Sequence, residues 1–294
     1  MEGVNRIPRQ RGYEARDREE IMKTAKYLHE EGYSQVKIAM MLGISRGTLM
    51  RWNKDQGVFQ TRAPGEAGKL AVKKYGYNEN YFSNIRTPNQ AYLVGYILGD
   101  GTLYDRKKSK RLVLTVAETD KDLLYSIARE MNIAPEAVKF RKNNTCNEQN
   151  KYSLTISCTK ICNDLMRLGI SPKKTGKEPW IQFNSIELQW SFLRGIFDAD
   201  GSIRVYRRYY RDREKDYLRV RFGITGSRPL LEGILNFLKA NGIAQNVNSL
   251  TAKQGCFDLY VSSINDVKKI FHHLYRYGDL KLNRKYEIFS SLMI

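Results

Sequence analysis

Two acids stand where a carboxylate is least favoured. Asp100 ends the run Leu93-Val94-Gly95-Tyr96-Ile97-Leu98-Gly99-Asp100-Gly101, and Asp200 ends Leu193-Arg194-Gly195-Ile196-Phe197-Asp198-Ala199-Asp200-Gly201, one hundred positions later. Each run is mostly apolar and reads as a helix closing in Asp-Gly. An acid at the negative end of a helix dipole is disfavoured by a few tenths to ~1 kcal/mol. Two acids placed badly in the same way call for a compensating cation. Small residues four apart, Gly95/Gly99 and Gly195/Ala199, lie on one helix face and let two backbones approach closely. If the two helices pack side by side, the carboxylates meet, and Mg²⁺ ions can bridge them with oxygen ligands. A terminal Gly suits the left-handed position after a helix end, which is the expectation for Gly101 and Gly201.

The elements that must carry these acids repeat as well, which points to duplication. A basic, aromatic hairpin-like stretch follows each run, closing on the alternating strands 111–116 and 218–224. Amphipathic helices come next, around 122–128 and 230–238. Second hairpins close on 152–157 and 257–262, and helices follow at 161–168 and 267–274. Period-2 alternation supports the strands and 3–4 spacing the helices.

The wording of the runs resembles the LAGLIDADG family of homing endonucleases. The second copy matches in Leu193, Gly195, Asp198, Ala199, Asp200 and Gly201; the first matches in Leu93, Gly95, Asp100 and Gly101, with Leu98 where the family often has an acid. The resemblance covers roughly residues 88–294. It implies an α+β fold of two pseudo-symmetric αββαββα halves, 89–190 and 191–294, each with a concave antiparallel DNA-binding sheet. It implies metal-dependent phosphodiester hydrolysis of double-stranded DNA, with Mg²⁺ as cofactor and Mn²⁺ as a substitute. Asp100 and Asp200, with Gly99 and Ala199 beside them, would form the metal site. Family lysines that activate or order water map by position to Lys174 and to Lys285, with Lys281 as rival. Glu118 stands where the family often places a polar water-ordering residue, and Gly226 is taken as its counterpart. A single chain with two unlike halves implies an asymmetric target bound by a monomer. The biology it implies is a cytoplasmic mobile-element endonuclease of prokaryotic or phage origin. Two other functions share this fold and charge: a catalytically inactive DNA-binding regulator and an RNA-splicing maturase. Retention of both acids argues against the first, and an added duplex-binding module against the second.

Composition agrees with a polyanionic partner. The chain of 294 residues has 50 Lys+Arg against 31 Asp+Glu, a formal charge of +19. The charge gathers in the two hairpins that follow the acids. The first holds Tyr104, Arg106, Lys107, Lys108, Lys110 and Arg111; the second holds Arg204, Tyr206, Arg207, Arg208, Tyr210, Arg211, Arg213, Arg219 and Arg221. A two-stranded ribbon fits the major groove, where Arg reads guanine edges and Lys or Tyr holds phosphates. The second hairpin is the longer, so the halves are expected to read different sequences.

No transmembrane run is present. Cys146, Cys158, Cys162 and Cys256 lack zinc spacing and read as core thiols. His29, His272 and His273 read as structural or solvated.

Residues 1–54 read as a separate all-α unit. A charged amphipathic helix spans 17–31, Ser34 caps a short helix, Gly43-Ile44 turn the chain, and Ser45 caps a third helix. Ala39, Gly43, Ile44, Leu49 and Trp52 resemble a helix-turn-helix of the resolvase or transposase type. That resemblance places Arg46, Thr48 and Arg51 toward DNA and leaves Leu49 and Trp52 in the core. Residues 55–88, with Pro64, Gly65, Gly68, Lys69, Lys73 and Lys74, read as a linker, in which Tyr77-Asn78-Glu79-Asn80-Tyr81-Phe82 is left to pack on the catalytic half or to track a groove.

Overall fold

The computed structural model describes residues 15–61, 76–106, 109–142, 149–211 and 214–293. Lys107, Lys108 and Arg213 of the hairpins, Cys146, the linker residues Pro64 to Lys74 and the side chain of Tyr210 lie outside the described residues. The chain divides into two compact units, 1–75 and 76–294.

The first unit has three helices: α1 (Ala15–Glu30), α2 (Gln35–Met41) and α3 (Arg46–Gln56). Ser34 and Ser45 cap α2 and α3 by accepting from Lys37 N and Thr48 N. Met22, Ala25, Leu28, Ile38, Ala39, Leu49, Trp52 and Phe59 form its core. The chain stays packed past α3: the Asn53 amide donates to Phe59 O at 2.8 Å and accepts from Phe59 N at 2.9 Å. The stretch expected to be a linker therefore belongs to this core as far as Phe59.

The second unit is α+β. Its first half runs α4 (Pro88–Gly99), β1 (Thr102–Arg106), β2 (Ser109–Ala117), α5 (Lys121–Glu130), β3 (Val138–Arg141), β4 (Lys151–Ile156) and α6 (Thr159–Arg167). Its second half runs α7 (Ile186–Asp200), β5 (Gly201–Tyr210), β6 (Lys215–Gly226), α8 (Arg228–Ala240), β7 (Thr251–Lys253), β8 (Cys256–Val261) and α9 (Ile264–Leu274). A further helix, α10 (Asn283–Ser290), ends the chain; it has no counterpart among the elements expected from the repeat. Both sheets are antiparallel with one strand order, β1-β2-β4-β3 and β5-β6-β8-β7.

Alternation fixes which face each sheet buries. Leu103 pairs with Leu112 and Ile203 with Phe222, and all four are buried. Leu114, Val116, Leu154 and Ile156 continue the first buried face, and Ile224, Leu259 and Val261 the second. The other face of each sheet is polar.

The N-terminal end of the first half is anchored before α4 begins. Tyr77 OH donates to Ser157 O at 2.8 Å, Tyr81 OH to Glu130 at 2.9 Å, and Ser83 Oγ to Asp164 at 2.8 Å. These bonds attach residues 76–86 to the first half, again inside the stretch expected to be a linker. Thr87 and Gln90 then form a reciprocal capping box that starts α4, with Pro88 in its first turn.

Candidate active site and basic faces

Helices α4 and α7 meet through glycine, which is why the two acids end near each other. A Cβ on Gly95 would collide with the Phe192 carbonyl oxygen and come within 3.0 Å of Ile196 N. A Cβ on Gly195 would collide with the Tyr92 carbonyl oxygen and come within 2.6 Å of Tyr96 N. The contact is reciprocal, so the seam is a pseudo-two-fold axis. One turn further on, Gly99 faces Ala199, and a Cβ there would lie 2.6 Å from Asp200 Oδ2.

The helix ends differ from the expected left-handed glycine. Gly201 has φ −89° and ψ 164°, and Gly101 is absent from the positive-φ residues. Glycine is needed for space instead. A Cβ on Gly101 would come within 2.7 Å of the Ile97 carbonyl oxygen, and one on Gly201 would strike the Phe197 carbonyl oxygen and ring. The strand leaves each helix so tightly that only a hydrogen fits.

Asp100 and Asp200 are exposed at the open end of this seam. Desolvation by the surrounding groups raises the Asp200 carboxyl to about 6, and the Asp100 charge adds to the rise. Asp100 is raised by the same desolvation, offset by Lys285, Lys174 and a hydrogen bond from Tyr96. Two lysines complete the cluster. Lys174 Nζ donates to Gly99 O at 2.5 Å. Lys285 Nζ donates to Phe197 O at 2.8 Å and Asp198 O at 2.7 Å, with Ala199 O at 3.5 Å. Each lysine thus satisfies carbonyls at the C-terminus of one motif helix. Lys285 is 5% exposed, and burial pulls its pKa down to about 8; Lys174 is lowered by the same cause. Lys281 is elsewhere, its Nζ 4.3 Å from the Tyr286 ring centroid.

Glu118 is turned toward a neighbour. Its Oε2 accepts from Asn150 Nδ2 at 3.1 Å and its backbone N donates to Asn150 O at 3.0 Å. The pairing of Gly226 with Glu118 is also corrected by register. Thr102 pairs with Val113 and Ser202 with Gly223, while Val116 pairs with Tyr152 and Gly226 with Phe257. Gly226 therefore corresponds to Val116, and Glu118 to Arg228, whose guanidinium lies 4.4 Å from the Phe257 ring centroid.

Several residues at the site were given no role by sequence reasoning. Asp198, 1% exposed, accepts from Tyr92 OH at 2.9 Å and Leu282 N at 2.7 Å; burial raises its carboxyl to about 6. Arg284 bridges the halves, with Nε 3.0 and 3.1 Å from the two carboxylate oxygens of Asp120. Arg194 is 1% exposed inside the second half, over the Tyr92 ring. An acid and an arginine inside apolar runs were the available signals.

The basic hairpins sort by face. Residues directly opposite on antiparallel strands share a face. The polar face of the first sheet carries Tyr104 opposite Arg111, with Arg106 beyond; the Arg111 guanidinium lies 4.5 Å from the Tyr104 ring centroid. The second carries Arg204 opposite Arg221, Tyr206 opposite Arg219 and Arg208 opposite Tyr217, and Arg221 lies 5.0 Å from the Tyr260 ring centroid. Lys110 and Arg207 fall on the opposite faces, Lys110 in a 3.0 Å ion pair with Asp105. Arg211 is exposed in the turn after β5. Lys139, Arg141 and Lys151, which sequence reasoning missed, share the polar face of the first sheet through the β2–β4–β3 register.

In the first unit Arg46 and Arg51 are exposed and Thr48 is half-buried on α3. Arg46 Nη2 donates to Gln35 Oε1 at 3.3 Å, and Thr48 Oγ1 lies 2.8 Å from Ser45 Oγ. Leu49 and Trp52 are buried. Cys158 and Cys162 are buried free thiols and Cys256 is a half-buried one. His29 stacks on Phe59 and His273 on Trp190. Among the described residues no helix is long and apolar enough to cross a membrane.

Residues 187–275 match the family model described as a LAGLIDADG-like domain. That span runs from α7 to α9, within the second half. Comparison with curated protein sequences gives no match. Among solved structures, the LAGLIDADG meganuclease I-AabMI bound to uncleaved DNA is 15% identical, with a TM-score of 0.48 over 71% of this chain and 89% of that one. I-SmaMI bound to an uncleaved DNA target in the presence of calcium ions is 14% identical, with a TM-score of 0.49 over 71% of this chain and 90% of that one.

Proposed function

We propose that this protein is a site-specific, Mg²⁺-dependent endonuclease that cuts both strands of a long asymmetric DNA duplex. The observation that carries the reading is the seam itself: two exposed carboxylates at converging helix ends, flanked by two lysines, between two sheets with basic polar faces.

The donors fit a hard divalent cation. Asp100 and Asp200 offer carboxylate oxygens and Ala199 a carbonyl, while the Gly99 carbonyl beside them accepts from Lys174 and would have to release it to join; the Asp100 charge that adds to the desolvation of Asp200 would be relieved by a cation. Among the described residues no three His, Cys, Asp or Glu side chains cluster for a metal, so phosphate oxygens and water would complete the coordination. Mg²⁺, with Mn²⁺ as a substitute, supplies charge neutralisation for the attacking water and the departing 3′-oxygen.

The remaining work falls to this chain. Lys285 and Lys174 hold the carbonyls beside the two acids, and each would help order the attacking water at one strand. The polar sheet faces hold the duplex. Tyr104, Arg106, Arg111, Arg204, Tyr206, Arg208, Arg219 and Arg221 would contact bases and phosphates. The three-helix unit, through Arg46, Thr48 and Arg51, adds a flanking contact. The internal symmetry lets a monomer address both strands.

Asp100→Asn and Asp200→Asn test the assignment. Each variant loses double-strand cleavage in Mg²⁺ on a duplex selected from a randomised library, and each still binds that duplex. Cleavage of both strands at the wild-type rate by either variant would show that the acids are not the metal ligands.

A further inference from the structure

The two halves hold their lysines differently. Lys285 is fixed at both ends of its side chain. Its backbone N donates to Leu282 O at 3.1 Å, and Leu282 N donates to Asp198 Oδ2 at 2.7 Å. Its Nζ donates to the backbone carbonyl of the same Asp198 at 2.7 Å. Tyr92, across the seam on α4, donates its hydroxyl to Asp198 Oδ2 at 2.9 Å.

The strap leading to Lys285 is held too. Arg194 Nη1 donates to Leu274 O at 3.0 Å, to Tyr277 O, and to Gly278 O at 3.4 Å. Asn89, at the start of α4, accepts from Asp279 N at 3.0 Å and Leu280 N at 3.4 Å. Arg194 and Asp198 are one turn apart on α7, so they grip the two ends of one strap.

The first half holds its lysine in another way. The positions of α4 that match Arg194 and Asp198 are Val94 and Leu98, both apolar. Lys174 sits in the segment between α6 and α7, in no regular element, and its Nζ bonds to Gly99 O. That segment is held by a turn, Lys177 N donating to Lys174 O at 2.8 Å, and from the second half by Ser227 Oγ donating to Glu178 O at 2.5 Å and by Gln189 on residues 181 and 183.

We propose that Asp198 is a positioning residue for Lys285, and that it makes cleavage of one strand depend on a buried carboxylate that has no counterpart on α4. The inference rests on the endonuclease reading above. Both donors converge on one oxygen, Oδ2, and hydrogen bonds to an ionised carboxylate are the stronger kind; an amide oxygen in its place holds both donors more weakly, and its NH₂ group falls where Oδ1 has no partner. Misplacement of a reacting group by about 1 Å can slow a reaction about 100-fold.

Strand-resolved cleavage of a supercoiled plasmid carrying the selected site tests this. Lys285→Met and Lys174→Met define which strand each lysine serves. Asp198→Asn is expected to accumulate nicked circle, with the second cut about 100-fold slower. It spares the strand that Lys285→Met spares, and its DNA affinity is unchanged. Amide exchange supplies a readout apart from activity: protection at Leu282 falls in Asp198→Asn, while protection over 170–185 is kept. Tyr92→Phe removes one donor without changing packing volume. It produces the same strand bias in weaker form, and it carries the test if Asp198→Asn does not fold. Equal slowing of both strands, or sparing of the strand served by Lys285, overturns the proposal while leaving the nuclease reading intact. A wild-type protein that binds the site in Mg²⁺ and leaves the plasmid uncut overturns both.

Discussion

Gly95 and Gly195 each pack on the other helix's backbone: the first faces the Phe192 carbonyl oxygen and the second faces the Tyr92 carbonyl oxygen. Backbone cannot rotate away as a side chain can, so even one methyl must force the helices apart. Overpacking of a tight core costs ~1–3 kcal/mol and more where nothing yields. Gly95→Ala and Gly195→Ala are therefore expected to lower the melting temperature by about 6–12 °C, taking ~3 kcal/mol and about 2–4 °C per kcal/mol. Gly242→Ala is a poor control, because its φ of +70° adds strain; Gly47→Ala, whose Cβ meets only Ser45 Oγ at 3.7 Å, is the better one. A thermal melt of the three variants checks this, and unchanged melting in both seam variants would mean the helices do not meet at these glycines.

The acids at the end of that seam weaken the metal-free protein. The Asp200 carboxyl is raised to about 6 in the fold, chiefly by desolvation and then by Asp100, against 3.8 ordinarily. The folded state then holds the proton more tightly than the unfolded chain. Stability from this group is present below the unfolded pKa and is lost as pH rises from about 4 through about 6. Asp200→Asn removes the charge. In EDTA it is expected to melt higher than wild type at pH 7.5, and the gap closes at pH 4. Water at this open site screens the effect, so the gain is ~1 kcal/mol or less, about 2–4 °C. An Asp200→Asn protein no more stable than wild type at pH 7.5 would contradict the raised carboxyl.

The duplication, the αββαββα order and the three N-terminal helices were legible because each rests on local pattern: alternation, 3–4 spacing and Ser caps. What was not legible depends on pairing across the chain. Gly226 looked like the counterpart of Glu118 by distance along the strand, but sheet register matches it to Val116. Gly101 looked like a left-handed helix end, but its constraint is the Ile97 backbone one turn back. Asp198 read as a motif letter, since its partners Tyr92 and Leu282 lie 106 and 84 residues away. For Tyr77–Phe82 the sequence left packing on the first half and tracking a groove open, because Tyr77, Tyr81 and Ser83 find their partners only in the folded first half.

Register also sorts the hairpin arginines. Arg204 and Arg221 stand opposite each other on the polar face of the second sheet, whereas Arg207 stands opposite Leu218 on the other face. A duplex held on the polar face meets the first pair and misses Arg207. Arg204→Ala and Arg221→Ala are each expected to weaken binding of the selected duplex by ~1–3 kcal/mol, as for arginines that read guanine edges. Arg207→Ala changes affinity about 2-fold or less, in the range of an ordinary surface substitution. Fluorescence anisotropy at fixed salt measures all three. A larger loss for Arg207→Ala than for Arg221→Ala would place the duplex on the wrong face here.

The proposed function divides binding and cutting between the two compact units. Residues 1–75 have their own core and hold neither Asp100 nor Asp200, and neither basic hairpin. The break after Tyr75 also keeps Tyr77, Tyr81 and Ser83, which are bonded to the first half. Deleting residues 1–75 is therefore expected to leave a folded chain that cuts at the same phosphates. A tethered second module works at millimolar effective concentration, so its loss weakens binding by ~10²–10⁴-fold without altering contacts in the core. The footprint shortens on one flank, and the salt dependence flattens because fewer phosphates are neutralised. At saturating protein the truncated chain cuts both strands at the wild-type positions. Footprinting and cleavage mapping over a salt series measure these together. A truncated protein that binds the site and cannot cut would mean that the first unit helps assemble the active site, and the division of labour would fail.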